Sequence, residues 1–150
     1  MIAIRLAVEA DASALARIAV AAYQHYTPRI GRAPAPMTAD YTAAARRGQA
    51  WVAEAGGEVA GFIILIPRPG HLLLENVAVL PAAQGRGIGA RLLALAEDRA
   101  HALHLPEVRL YTNAAMTENL AYYPRHGYTE THRAHQDGFH RVFFRKRIDT

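Results

Sequence analysis

The sequence predicts an α/β chain in which a mixed sheet of about seven strands is flanked by four helices. Three observations lead there. Apolar runs of strand length alternate with stretches of helical period, in the order strand, helix, helix, three strands, helix, strand, helix, two strands. Two glycine-bearing turns, Gly56-Gly57 and Asp137-Gly138, each separate a pair of strand-like runs. Between those turns, Leu72 to Leu103 read as strand, glycine turn and helix without a break.

Taken in order, Ala3 to Val8 is the first strand, with partial alternation. Asp11 is placed to cap the following helix, whose apolar stripe is Leu15, Ile18, Ala19 and Ala22 and which ends near Tyr26-Thr27-Pro28. Residues 29–37 read as a loop because glycine and proline interrupt any period. Thr38 or Asp40 starts a short helix that stops at Gly48. Ala50 to Ala55 and Val59 to Pro67 form a hairpin across Gly56-Gly57. The apolar run Leu72 to Leu80 is the central strand and ends at Pro81. Ile88, Leu92, Ala96, Ala100 and Leu103 then step along one helical face to about His104. Val108 to Thr112 is a strand, and Thr117 caps a helix that reaches His126 and stops at Gly127. Glu130 to Gln136 and Phe139 to Ile148 form the last hairpin. Without internal repeats or low-complexity linkers, residues 1–150 are expected to be a single domain.

Composition narrows the classes. The chain is 51% hydrophobic and 20% charged, as in ordinary globular proteins. It has no cysteine, which excludes disulfides, thiolate catalysis and cysteine-ligated zinc. The first residues lack the regions of a signal peptide and no apolar run reaches spanning length, so a cytoplasmic location and no membrane partner are expected. A net charge of +4 admits nucleic acid, but the basic residues are scattered apart from Arg141 to Arg147. A polyanionic cofactor explains the excess equally well.

The glycine turn Gln84-Gly85-Arg86-Gly87-Ile88-Gly89 is suited to phosphate. Glycines let backbone approach an anion, and the first amides of a helix have no intrahelical acceptor and sit at its positive end. Arg86 and Arg91 add cations beside it. A P-loop would need Gly-Lys-Ser/Thr, which does not follow Gly89. The dinucleotide fingerprint is matched by Gly85, Gly87 and Ala90, but its acid about twenty residues on would be Glu107, which opens the next strand instead of closing it. Too little chain then remains for a doubly wound sheet.

The same turn resembles the Q/R-x-x-G-x-G/A pyrophosphate loop of the GNAT superfamily of N-acetyltransferases, and Val77-Ala78-Val79-Leu80-Pro81 resembles the strand that lies along pantetheine there. Asn119 to Tyr128, N-L-A-Y-Y-P-R-H-G-Y, resembles the family's second signature, F-Y-x-x-x-G-F/Y. Both motifs occur in the family's order, and the resemblance covers nearly the whole chain. It implies the GNAT acyl-CoA N-acyltransferase fold, acetyl-CoA as co-substrate without a metal, and strands near Val79 and Val108 that splay to admit the pantetheine amide. It also implies cofactor contacts from Val77, Ala78, Val79, Gln84, Gly85, Arg86, Gly87, Ile88, Gly89 and Ala90. One departure is Met116, which replaces the asparagine usual seven residues before the tyrosine. Asn113 and Asn119 are the two candidates to take over its pantetheine contact, and the choice between them stays open.

Acyl transfer needs a neutral amine, a polarised carbonyl and a proton for the departing thiolate. By the resemblance, Tyr123 is the acid, with a phenol close enough in pKa to a thiol. The alternative is that it packs its helix, as Tyr122 is expected to do. Glu75 is the candidate base, since a carboxylate on an apolar strand is costly unless paired or functional. An ion pair with an arginine, or a water chain as base, stays open beside it. The backbone amide near Val79 is, by the same resemblance, the donor to the carbonyl oxygen.

Acceptor selection falls to the loop between the first two helices, where Tyr26, Arg32 and Met37 are the substrate-binding candidates, with His71 or His140 nearby. The loop is equally readable as a rigid spacer. The eight histidines show no tight zinc spacing; His101 and His104, and His132 and His135, read as solvated. The function expected is transfer of acetyl from acetyl-CoA to a primary amine, small-molecule or peptide, by direct attack. A catalytically silent acyl-CoA-binding sensor or interaction module is the alternative, and a nucleic-acid-binding module a third class. A homodimer is admitted.

Overall fold

The computed structural model describes residues 1–148. Seven strands, β1 (Ile2–Leu6), β2 (Ala50–Ala55), β3 (Glu58–Arg68), β4 (His71–Val79), β5 (Glu107–Asn113), β6 (Thr129–Gln136) and β7 (Phe139–Arg147), form one sheet in the order β1-β2-β3-β4-β5-β7-β6. β4 and β5 run parallel; β1–β2, β2–β3, β5–β7 and β6–β7 are antiparallel, so the sheet is mixed as expected. The four expected helices are α1 (Ala12–Tyr23), α3 (Tyr41–Arg46), α4 (Ile88–Ala102) and α5 (Thr117–Arg125), with one added turn, α2 (Thr27–Ile30). Both hairpins close over two residues at positive φ, Gly56-Gly57 and Asp137-Gly138, the primed-turn geometry that matches strand twist. Among the described residues no helix is long and apolar enough to cross a membrane.

The chain gathers into two compact units: Met1–Leu65 with Asn76–Ala94, and Ile66–Glu75 with the chain from Leu95 onward. β3 and β4 contribute residues to both. In the first unit, β3 is buried without interruption from Ala60 to Leu65, as only a strand covered on both faces can be. Leu15, Ile18 and Ala19 of α1 are buried as their spacing predicts. Asp11 does not cap α1 through its side chain. Its carboxylate instead grips Arg5 at 2.8 and 3.1 Å and accepts the Val8 amide at 2.7 Å. The first strand stops at Leu6 because Val8 already belongs to that corner. Asp40, not Thr38, caps α3, accepting the Ala43 amide at 3.0 Å. The expected loop holds at residues 31–34, but its two ends are helical: residues 29–30 complete α2 and 35–37 lie in a 3-10 turn. Pro28 sits in the first turn of α2, where its missing N–H costs nothing, and Gly31 ends that turn at φ 84°.

In the second unit, α4 ends at Ala102, so Leu103 falls off the predicted stripe and is 39% exposed. Thr117 is the first residue of α5, not its cap; its hydroxyl donates to Glu118 at 3.0 Å and Met116 takes the cap position. The helix closes on Gly127 at φ 90°, where an added Cβ would lie 2.9 Å from the Lys146 side chain. Lys146 donates to the His126 carbonyl at 2.9 Å and pairs with Glu97 at 3.0 Å, fastening the end of α5.

Candidate functional site

In the first unit, β4 delivers Val77, Ala78 and Val79 to a turn at Pro81–Ala83, after which Gln84 to Gly87 are exposed. Gly85 and Gly87 have φ of 84° and 82°, and a Cβ at either would meet nothing within 4 Å. Glycine is needed for the backbone conformation alone, and open space lies in front of it. Arg91 is the first residue of α4 whose amide finds an acceptor, the Gly87 carbonyl at 3.1 Å. The amides of Ile88, Gly89 and Ala90 thus head the helix without intrahelical partners. Gln84 donates to the Val79 carbonyl at 3.3 Å, tying the turn to the strand end. Of the two expected cations, Arg91 is committed to the Ile2 carbonyl at 2.8 Å. Arg86 is exposed and has no side-chain partner among the described residues.

Two features of this half escaped the sequence reading. Gly61 on β3 lies so close to β4 and α4 that a Cβ would sit 3.0 Å from the Ala78 carbonyl and 3.2 Å from Ile88; its signal was a glycine inside a strand run. Asn76, 6% exposed, is the other. Its Oδ1 lies 2.9 Å from the Tyr23 hydroxyl, which is also 2.7 Å from the Val77 carbonyl, and its Nδ2 donates to the Tyr41 hydroxyl at 2.8 Å. Tyr41 in turn donates to the Pro36 carbonyl. This chain of polar contacts fastens α1, α3 and the segment before α3 to the last residues of β4. An asparagine amid an apolar strand was its only sequence trace. Nearby, Tyr26 is buried against His25 and Arg29, Met37 is half-buried with its sulfur 3.8 Å from the Thr27 hydroxyl, and Arg32 is exposed.

In the second unit, Glu75 is half-buried on the face of β4 that carries His71 and Leu73. It has no ion pair among the described residues, so the alternative of an arginine partner is not found there. Tyr123 is 6% exposed and packs among Tyr122, Tyr128 and Phe144, with ring centres 5.4 to 5.8 Å away. Tyr122 is only half-buried, its ring tilted against His126 with centres 4.4 Å apart, so the deeper of the two rings is Tyr123. Burial pushes the Tyr122 and Tyr128 phenols up, and the buried Tyr128 hydroxyl finds no hydrogen-bond partner among the described residues. The two asparagines have partners inside this unit. Asn113 accepts the Ala115 amide at 2.9 Å, and Asn119 donates to the Thr112 hydroxyl at 3.1 Å. His140 stacks on His135 at 4.4 Å, and His132 on Phe143 at 4.3 Å. Among the described residues no three His, Asp or Glu side chains are grouped to hold a metal.

The ladder between β4 and β5 is short: Leu72, Leu73 and Leu74 pair with Val108, Arg109 and Leu110, while both strands are longer. A model of the acetyltransferase (GNAT) family matches residues 13–128. The uncharacterized N-acetyltransferase YvbK of Bacillus subtilis (strain 168) is 30% identical over 83 residues; the match spans 55% of this chain and 54% of that relative's length. The PaiA N-acetyltransferase of Thermoplasma acidophilum, solved with coenzyme A, superposes with a TM-score of 0.82 at 19% identity over 99% of both chains. The ribosomal-protein-S18-alanine N-acetyltransferase of Escherichia coli does so at 0.77 and 21% identity, over 100% of this chain and 96% of that one.

Proposed function

The chain belongs to the acetyltransferase (GNAT) family, and from that premise we propose that it transfers acetyl from acetyl-CoA to a primary amine by direct attack. The observation that carries the reading is the turn at Gly85 and Gly87: two left-handed residues, open space before them and unbonded amides at the head of α4. Those amides from Gln84 to Ala90, with Arg86, bind the pyrophosphate. The edge of β4 from Val77 to Val79 holds the pantetheine amide. Asn113 and Asn119 steady the same arm with the polar atoms they do not spend internally.

In the reaction the amine nitrogen bonds to the thioester carbon as the carbon–sulfur bond breaks. Glu75 accepts the proton that the amine must lose, the Val79 amide donates to the carbonyl oxygen, and Tyr123 protonates the leaving thiolate. Tyr26, Arg32 and Met37 border the acceptor, a small-molecule or peptide amine. The proposal includes a cytoplasmic location. A second reading, a catalytically silent acyl-CoA-binding module, is favoured by the deep burial of Tyr123.

Free-thiol release over a panel of amines separates the two readings. Tyr123→Phe is expected to lower kcat by about 100-fold while coenzyme A affinity, measured by calorimetry, stays within about twofold. Turnover unchanged in the variant removes Tyr123 from its role, and no thiol release with any amine favours the silent module.

A further inference from the structure

The second unit holds a cleft of about 440 Å³ on the sheet face shared by β4, β5, β7 and β6. Its walls are cationic. Register places Arg109 directly opposite Arg145, an arrangement that like charges disfavour unless an anion lies near. Glu107 meets part of that need, 2.6 Å from Arg109. The Arg109 guanidinium, and more weakly Arg145 and Arg147, hold its carboxyl below the usual range. One carboxylate thus faces three arginines, and Arg145 has no side-chain partner among the described residues. No acid lines the cleft itself.

The floor is aromatic. Tyr111 sits 5.7 Å from Phe143, and His132 lies flat on Phe143 with an interplanar angle of 6°. His71 enters from β4; burial and then Arg109 lower its pKa, so it offers hydrogen bonding more than charge. The volume is that of a small-ligand site. Alternation along β4 puts Glu75 on the same face, about 7 Å beyond Leu73 at the rise of an extended strand.

We propose that this cleft binds the carboxylate end of the amine acceptor, so that the acceptor class is an amino-carboxylate with a flat or apolar body. Arg145 and Arg109 take the carboxylate in charge-assisted bonds, the rings carry the body, and the free end points along β4 toward Glu75. The link to catalysis rests on the acetyl-transfer reading; the cleft as a carboxylate site does not.

The test uses the full chain and a panel of amino acids, each beside its carboxamide, in calorimetry and in thiol release with acetyl-CoA. At least one acid is expected to bind about tenfold tighter than its amide. That preference should vanish in Arg145→Gln, persist in Arg145→Lys, and leave coenzyme A affinity unchanged in both. Inorganic phosphate is the control for simple anion capture. The proposal is overturned when no acid outbinds its amide, when the preference survives Arg145→Gln, or when phosphate displaces the acid at equal concentration. Binding with these signatures but no thiol release supports the cleft and counts against acetyl transfer to its occupant.

Discussion

Gly87 illustrates how one residue fixes the backbone conformation on which the proposed coenzyme site depends. At φ 82° with nothing within 4 Å of its would-be Cβ, the position resists side chains for backbone reasons only. Alanine there costs about 1 kcal/mol in the left-handed region or shifts the backbone out of it, whereas asparagine tolerates that region better. Gly87→Ala is expected to weaken coenzyme A binding by about tenfold with Gly87→Asn in between, read by calorimetry on variants whose circular dichroism matches the wild type. The glycine turn itself was legible in the sequence because its residues are contiguous. Asn76 was not, because its partners Tyr41 and Tyr23 lie 35 and 53 positions away. Only folding brings two phenols to one amide, and no local pattern announces it.

At the scale of elements, boundaries moved where a polar side chain had a better partner than the helix end. Asp11 is the case in point. As a cap it would have bonded an α1 amide; Arg5 on β1 supplies a charged partner, and Arg5 also reaches Glu54 on β2 at 2.8 Å. One guanidinium thereby joins the corner before α1 to two strands. Arg5, through its hydrogen bonds, holds the Asp11 carboxyl below the usual range, against the effect of burial. A folded pKa below the unfolded one means stability present above the unfolded value and lost as pH falls through the folded one. The difference in urea midpoint between wild type and Asp11→Asn is therefore expected to be full at pH 6 and to shrink below about pH 4. A constant difference down to pH 3 would remove Asp11 from this role. Proline misled at the start of that loop for a related reason: Pro28 breaks a helix in its interior but suits the first turn of α2, which runs on to Ile30.

At the scale of the molecule, two compact units share strands β3 and β4 and one sheet. We propose that residues 1–150 are one domain. A single cooperative transition is expected, with Trp51 fluorescence reporting β2 in the first unit and amide exchange reporting β7 in the second. Coincident free energies from the two probes support one domain; separate transitions divide it.

The sequence by itself determined the element order, the mixed sheet, both hairpins and the family. Each rests on contiguous signals: periodicity, turn chemistry and two short motifs. Tertiary structure alone decided which carboxylates cap and which pair, how Asn76 is satisfied, and which face of β4 meets the cationic cleft. Those outcomes depend on groups that become neighbours only when distant strands take their register, and charge and hydrogen bonding act through space rather than along the chain.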